Sequence, residues 1–163
     1  MDVRPAIQRQ YHAAMAMMRQ TIERCPDQVW TSGEHPRTYW RIAYHAAAYA
    51  HLYLYESLDT IEKWDKARVE CTYLDGEVDE AEAYSKQDML DYVDLIVACI
   101  DERIDRLDFA NPHCGYSWYP EVSQFELMIL SLRHLHGHIG QLHETLIAHG
   151  QDVDWMGQIN MNG

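Results

Sequence analysis

The sequence predicts an all-α chain that folds as an antiparallel four-helix bundle. Four segments repeat apolar residues at three- and four-residue steps, as helices that bury one stripe do. Two of them open with a serine followed three residues later by an acid, the pattern of a capping box. No segment alternates as a half-buried strand does, and glycine (8) and proline (5) are scarce among the 163 residues. That length suits one domain over residues 1–163, large enough to bury a single core.

The first helix is expected over residues 3–24. Asp2 can cap it, Pro5 fits its first turn and Pro26 stops it. Ile7, Tyr11, Ala14, Met18, Ile22 and Cys25 form its buried stripe. The second is expected over residues 36–63, opening on Pro36. Its run RTYWRIAYHAAAYAHLYLYESL is rich in alanine, which lets helices approach, and in tyrosine, which fills the gaps. Residues 64–84 form a long polar connection. One this long in a compact domain is locally structured or functional, so a short helix or a lid is expected there. The third helix, residues 85–107, takes Ser85 as its N-cap with Asp88 three residues on, and buries Met89, Val93, Ile96, Ile100, Ile104 and Leu107. The fourth starts at Ser123, boxed with Glu126, and stops at Gly150, where glycine adopts a left-handed backbone.

The formal net charge is -13, with 26 acidic residues against 13 basic. A nucleic-acid backbone or an anionic membrane needs clustered Lys and Arg, and here the basic residues are scattered. The chain is therefore expected to bind no nucleic acid and no membrane. No stretch approaches the roughly 18 apolar residues of a membrane span. The N-terminal MDVRPAIQRQYH lacks the apolar centre of a signal peptide. Cys25, Cys71, Cys99 and Cys114 show no CxxC spacing, which argues against a zinc knuckle. These features point to the cytoplasm and to free thiols.

The chemistry lies in the histidines, ten in all. In HLHGHIGQLH, His134 and His138 are four residues apart, so both imidazoles share one helix face and can grip one ion. The core stripe Met128, Leu135, Ile139, Leu142 and Leu146 runs just beside that face, so the pair sits at the edge of the core. Gln141 falls on the same face, while His136 and His143 point to solvent or to a partner subunit. A third ligand should come from a facing helix. His45, flanked by Ala46, Ala47 and Ala48, is the candidate, with His51 the alternative, about 120° away around the same helix. Two histidines at HxxxH spacing are common on helix surfaces, and His45 turns the pair into a metal constellation.

These residues resemble the DinB-like (damage-inducible-like) superfamily of metal-binding four-helix bundles. The resemblance rests on His45 at the end of YWRIAYH, on His134-x-x-x-His138-x-Gly140-Gln141, and on Trp118-Tyr119-Pro120 before a capped last helix. It implies an up-down-down-up bundle with a long crossover, the triad His45, His134 and His138 on one divalent metal, and a homodimer. Some members look like thiol-dependent transferases or isomerases that use mycothiol, bacillithiol or glutathione. No basic thiol-binding cluster maps onto this sequence, so the transferase reading is analogy.

Three neutral imidazoles leave a coordination position open, as catalytic zinc sites do. Zinc is the expected ion, although nickel, iron, cobalt and manganese also accept imidazole. Such a site would activate water or a thiol cosubstrate against a small-molecule substrate, making the protein a transferase or hydrolase. The alternative is a non-catalytic metal-binding or stress-response bundle, and a third reading is an interaction bundle with a vestigial site. Tyr44, Tyr49 and Gln141 either orient ligands or simply pack. Glu56 lies about 16 Å from His45 along the helix axis, too far to join it. Trp118, Tyr119 and His113 either line the pocket mouth or cover the bundle end, and Cys114 has no activating partner in sequence.

Overall fold

The computed structural model describes residues 2–157, so the expected domain over 1–163 runs past the described residues at both ends. The described residues are all-α, with no strand among them. Five α-helices occur: α1 Arg4–Glu23, α2 Asp27–Trp30, α3 Tyr39–Leu52, α4 Lys86–Arg106 and α5 Gln124–Ala148. A short 3-10 turn, Val69–Thr72, interrupts the long connection between α3 and α4. None of these helices is long and apolar enough to cross a membrane.

Local signals set most of the boundaries. Ser85 accepts from the Asp88 amide and Ser123 from the Glu126 amide, so both serines cap their helices as the sequence predicts. Gly150, with φ +73°, follows the end of α5 in the left-handed backbone expected there. At α1 the cap is Val3, and Asp2 Oδ1 instead accepts from the Arg4 amide at 3.1 Å. The apolar stripes of α1, α4 and α5 are buried as the periodicity requires.

The second expected helix differs most. Pro36 does not open it: residues 34–37 form a turn closed by Arg37 N donating to Glu34 O at 2.7 Å, and Thr38 is the N-cap. The helix ends at Leu52, well short of Lys63. Past Leu52 the chain leaves the helix, and Tyr53, Leu54 and Tyr55 stay buried. The single Tyr116 hydroxyl proton is shared between Leu52 O at 2.6 Å and Tyr55 O at 3.0 Å, carbonyls a longer helix would use.

Each of the four long helices packs against two others, in the cyclic order α1, α4, α3, α5. Arg4 donates to Leu107 O and Arg19 pairs with Asp94, so α1 and α4 run antiparallel. His45 meets His134, and Arg37 meets Gln141 further along α5, so α3 and α5 are antiparallel as well. Tyr44 touches Tyr92 and Tyr55 lies under Arg103, which makes α3 and α4 parallel. Residues 151–157 fold back beside α1, where Arg24 pairs with Asp154.

The connection 64–84 is a packed wall. Trp64 stacks on Tyr92 at 4.4 Å, and Trp64, Cys71, Leu74 and Tyr84 are buried. Arg41, only 1% exposed on α3, donates to Glu70 O at 2.8 Å and Asp79 O at 3.2 Å. A buried guanidinium that satisfies backbone carbonyls pins the segment to α3.

Candidate metal centre

The site begins with four small residues. Ala43, Ala46, Ala47 and Ala50 are buried on α3, and with no bulk beyond Cβ they let α5 come close. His45 then reaches across to α5. There the four-residue step places His134 and His138 one turn apart on one face. The ring centroids lie 4.6–4.9 Å apart, with His138 edge-on to both other rings and His45 tilted against His134, and all three residues are half-buried. Each offers one ring nitrogen to a cluster whose atoms lie within 4.8 Å of one another, close enough to hold a metal ion.

The tautomers follow from the partners. His45 Nδ1 lies 2.6 Å from the Thr72 carbonyl oxygen, which can only accept, so Nδ1 carries the proton and Nε2 a free lone pair. His138 Nδ1 donates in the same way to Gln141 Oε1 at 2.8 Å. Their Nε2 atoms lie 2.9 and 3.1 Å from His134 Nε2. A single proton on His134 Nε2 could satisfy only one of those two lone pairs. A cation at the meeting point would satisfy all three nitrogens. Zinc–nitrogen bonds of about 2.0–2.1 Å in tetrahedral geometry put ligand nitrogens about 3.3 Å apart, so a small outward shift of the rings accommodates the ion.

Electrostatics favour the same state. Burial pushes His45 down to about 3, against a smaller opposing effect from its bond to Thr72, and pushes His134 down to about 4. Burial also lowers His138, partly offset by Gln141. All three imidazoles are therefore neutral at pH 7, the form that binds metals.

The triad opens into a cavity of about 790 Å³ between α3, the 64–84 wall and the loop before α5. That volume falls within the usual range of ligand pockets. Tyr49 packs against His45 at 4.8 Å and His134 at 5.4 Å, so it lines the site. Tyr44 is buried and accepts from the Arg68 amide, and its side chain also lines the cavity. Trp118 and Tyr119 line the cavity, whereas His113 and Glu56 do not. Cys114 is buried beside a backbone carbonyl. Of the two outward histidines, His143 pairs with Asp152 and His136 stacks on Trp155, so both find partners in the chain's own C-terminal segment. Sequence reasoning missed the Thr72 carbonyl and Arg37. A backbone acceptor has no side-chain signature, and Arg37 lies outside any motif.

His51 stands apart from the triad. It is 1% exposed, with Nδ1 3.1 Å from the Tyr92 hydroxyl, and burial lowers its pKa to about 4. The folded protein holds His51 neutral, while the unfolded chain binds its proton near pH 6.5. The stability this group contributes is thus complete above about pH 6.5 and lost progressively as the pH falls toward 4. At pH 4.5 the loss is on the order of 2 kcal/mol. Urea unfolding at pH 7 and 4.5 checks this: the pH-dependent drop should be smaller by that amount in His51→Gln.

No family model, curated protein or solved structure matches this chain.

Proposed function

We propose that the chain is a divalent-metal-binding four-helix bundle of the DinB-like kind, with zinc on His45, His134 and His138. One coordination position stays open for chemistry on a small molecule, which makes the protein a metal-dependent transferase or hydrolase. The observation that carries this reading is the convergence of three Nε2 atoms, two of them with their Nδ1 protons committed elsewhere. The helix pairings support an up-down-down-up arrangement, with α1 and α5 in one direction and α3 and α4 in the other. The resemblance adds a homodimer and a thiol cosubstrate to the proposal.

Bound at the triad, the ion would supply Lewis acidity at its open position, enough to make water or a thiol nucleophilic near neutral pH. The chain's own residues do the rest. Thr72 and Gln141 fix the ring orientations of His45 and His138. Tyr49 walls one side of the site, and the cavity admits the substrate.

Cobalt(II)-loaded protein tests the open position. Azide, or a small thiol such as β-mercaptoethanol, is expected to change its visible spectrum. A spectrum that neither probe moves would mean a closed coordination sphere. That outcome would favour the non-catalytic metal-binding or stress-response bundle.

A further inference from the structure

The cavity's walls differ in character from the rest of the surface. The chain has 26 acidic residues against 13 basic. Yet Arg37 and Lys63 line the cavity against a single carboxylate, Asp75. Arg37 stands at the triad's edge, with Nη2 3.5 Å from the same Gln141 oxygen that accepts from His138. It forms no salt bridge among the described residues, so its guanidinium is free to pair with a ligand.

The apolar side of the wall is equally distinct. Eight large hydrophobic side chains are exposed among the described residues, and four of them line this one cavity: Leu58, Val69, Tyr73 and Trp118. Scattered exposed hydrophobics are ordinary, but a cluster around a concave site marks a place that takes apolar ligand surface.

From the free guanidinium and this apolar rim we infer that the cavity binds a small amphiphilic carboxylate. Its carboxylate sits on Arg37 beside the triad and its hydrocarbon body lies against the rim. A guanidinium offers a carboxylate two parallel hydrogen bonds, which a neutral or cationic head group cannot use. Trp118 and Tyr73 offer broad ring faces to an alkyl or aryl chain without selecting its length. The inference rests on the metal reading of the triad, because it names what a working site there would take.

Isothermal titration calorimetry with octanoate, octanol and octylamine tests it, on wild type, Arg37→Gln and Trp118→Ala, each metal-stripped and zinc-loaded. Arg37 is exposed, so its replacement should leave the fold intact. Octanoate is expected to bind wild type about tenfold more tightly than octanol, and Arg37→Gln to remove that preference. Trp118→Ala should weaken both probes several-fold. Equal binding of octanoate and octanol, tighter binding of octylamine, or a preference that survives Arg37→Gln would overturn the inference. If neither probe binds and sedimentation reports a dimer that Trp118→Ala dissociates, the rim belongs to a second copy of the chain and the inference fails. Failure of the metal reading looks different. The protein would take up no zinc, while the effect of Arg37→Gln in metal-stripped protein would still decide the carboxylate site.

Discussion

Replacing His134 with alanine is expected to weaken zinc binding by about a hundredfold or more. His134 is the common neighbour of the triad, with its Nε2 2.9 Å from that of His45 and 3.1 Å from that of His138. Structural zinc sites bind with roughly 10–16 kcal/mol shared among four ligands, so one ligand accounts for about 2.5–4 kcal/mol. Competition against a chromophoric chelator reads this directly. Gln141→Ala supplies the graded comparison. It removes the acceptor that orients His138 but leaves every ligand in place, and such losses cost about 10–100-fold. The ordering matters most: His134→Ala must be the more damaging of the two. Metal removal follows from the same linkage. Excess chelator should lower the urea midpoint of wild type and leave that of His134→Ala unchanged.

Gly115→Ala is expected to destabilise the fold by about 3 kcal/mol. Gly115 has φ +80°, and a Cβ added there would overlap the carbonyl oxygen of Glu56. A left-handed backbone costs a residue with a side chain roughly 1–2 kcal/mol, and forcing a packed backbone aside costs about 1–3 kcal/mol more. The neighbouring Tyr116 hydroxyl ties this loop to the end of α3, so the strain should also loosen the cavity wall at Trp118 and Tyr119. Gly76 isolates the backbone contribution. It has φ +74° but open space where a Cβ would stand, so Gly76→Ala should cost only about 1 kcal/mol. Urea unfolding of the two variants separates clash from backbone conformation. Equal midpoints would show that the Glu56 contact carries no strain.

Much of this was legible in the sequence, and the reason is local physics. Both capping boxes are four-residue patterns, and each puts a serine oxygen on the expected amide. His134 and His138 were readable because helical spacing alone puts them on one face. His45 was readable because Ala46, Ala47 and Ala48 beside it leave room for a pocket, and Ala48 does line the cavity. The end of α3 was not, because buried tyrosines keep a helical composition after Leu52 while long-range bonds from Tyr116 terminate the helix. The 64–84 wall was polar in sequence, yet buried Arg41 holds it through backbone carbonyls that carry no side-chain signal. Arg37 shows the same limit: its place beside Gln141 depends on the turn before α3 and on the α3–α5 pairing together.

The central claim is that His45, His134 and His138 hold one metal ion. The most direct test is elemental analysis of wild type and His138→Ala, purified without a metal-affinity column. About one equivalent of a divalent metal in the wild type, absent from folded His138→Ala, is the predicted result. A wild type that carries no metal and takes up none from added zinc would contradict the account and leave a helical bundle with a neutral histidine cluster.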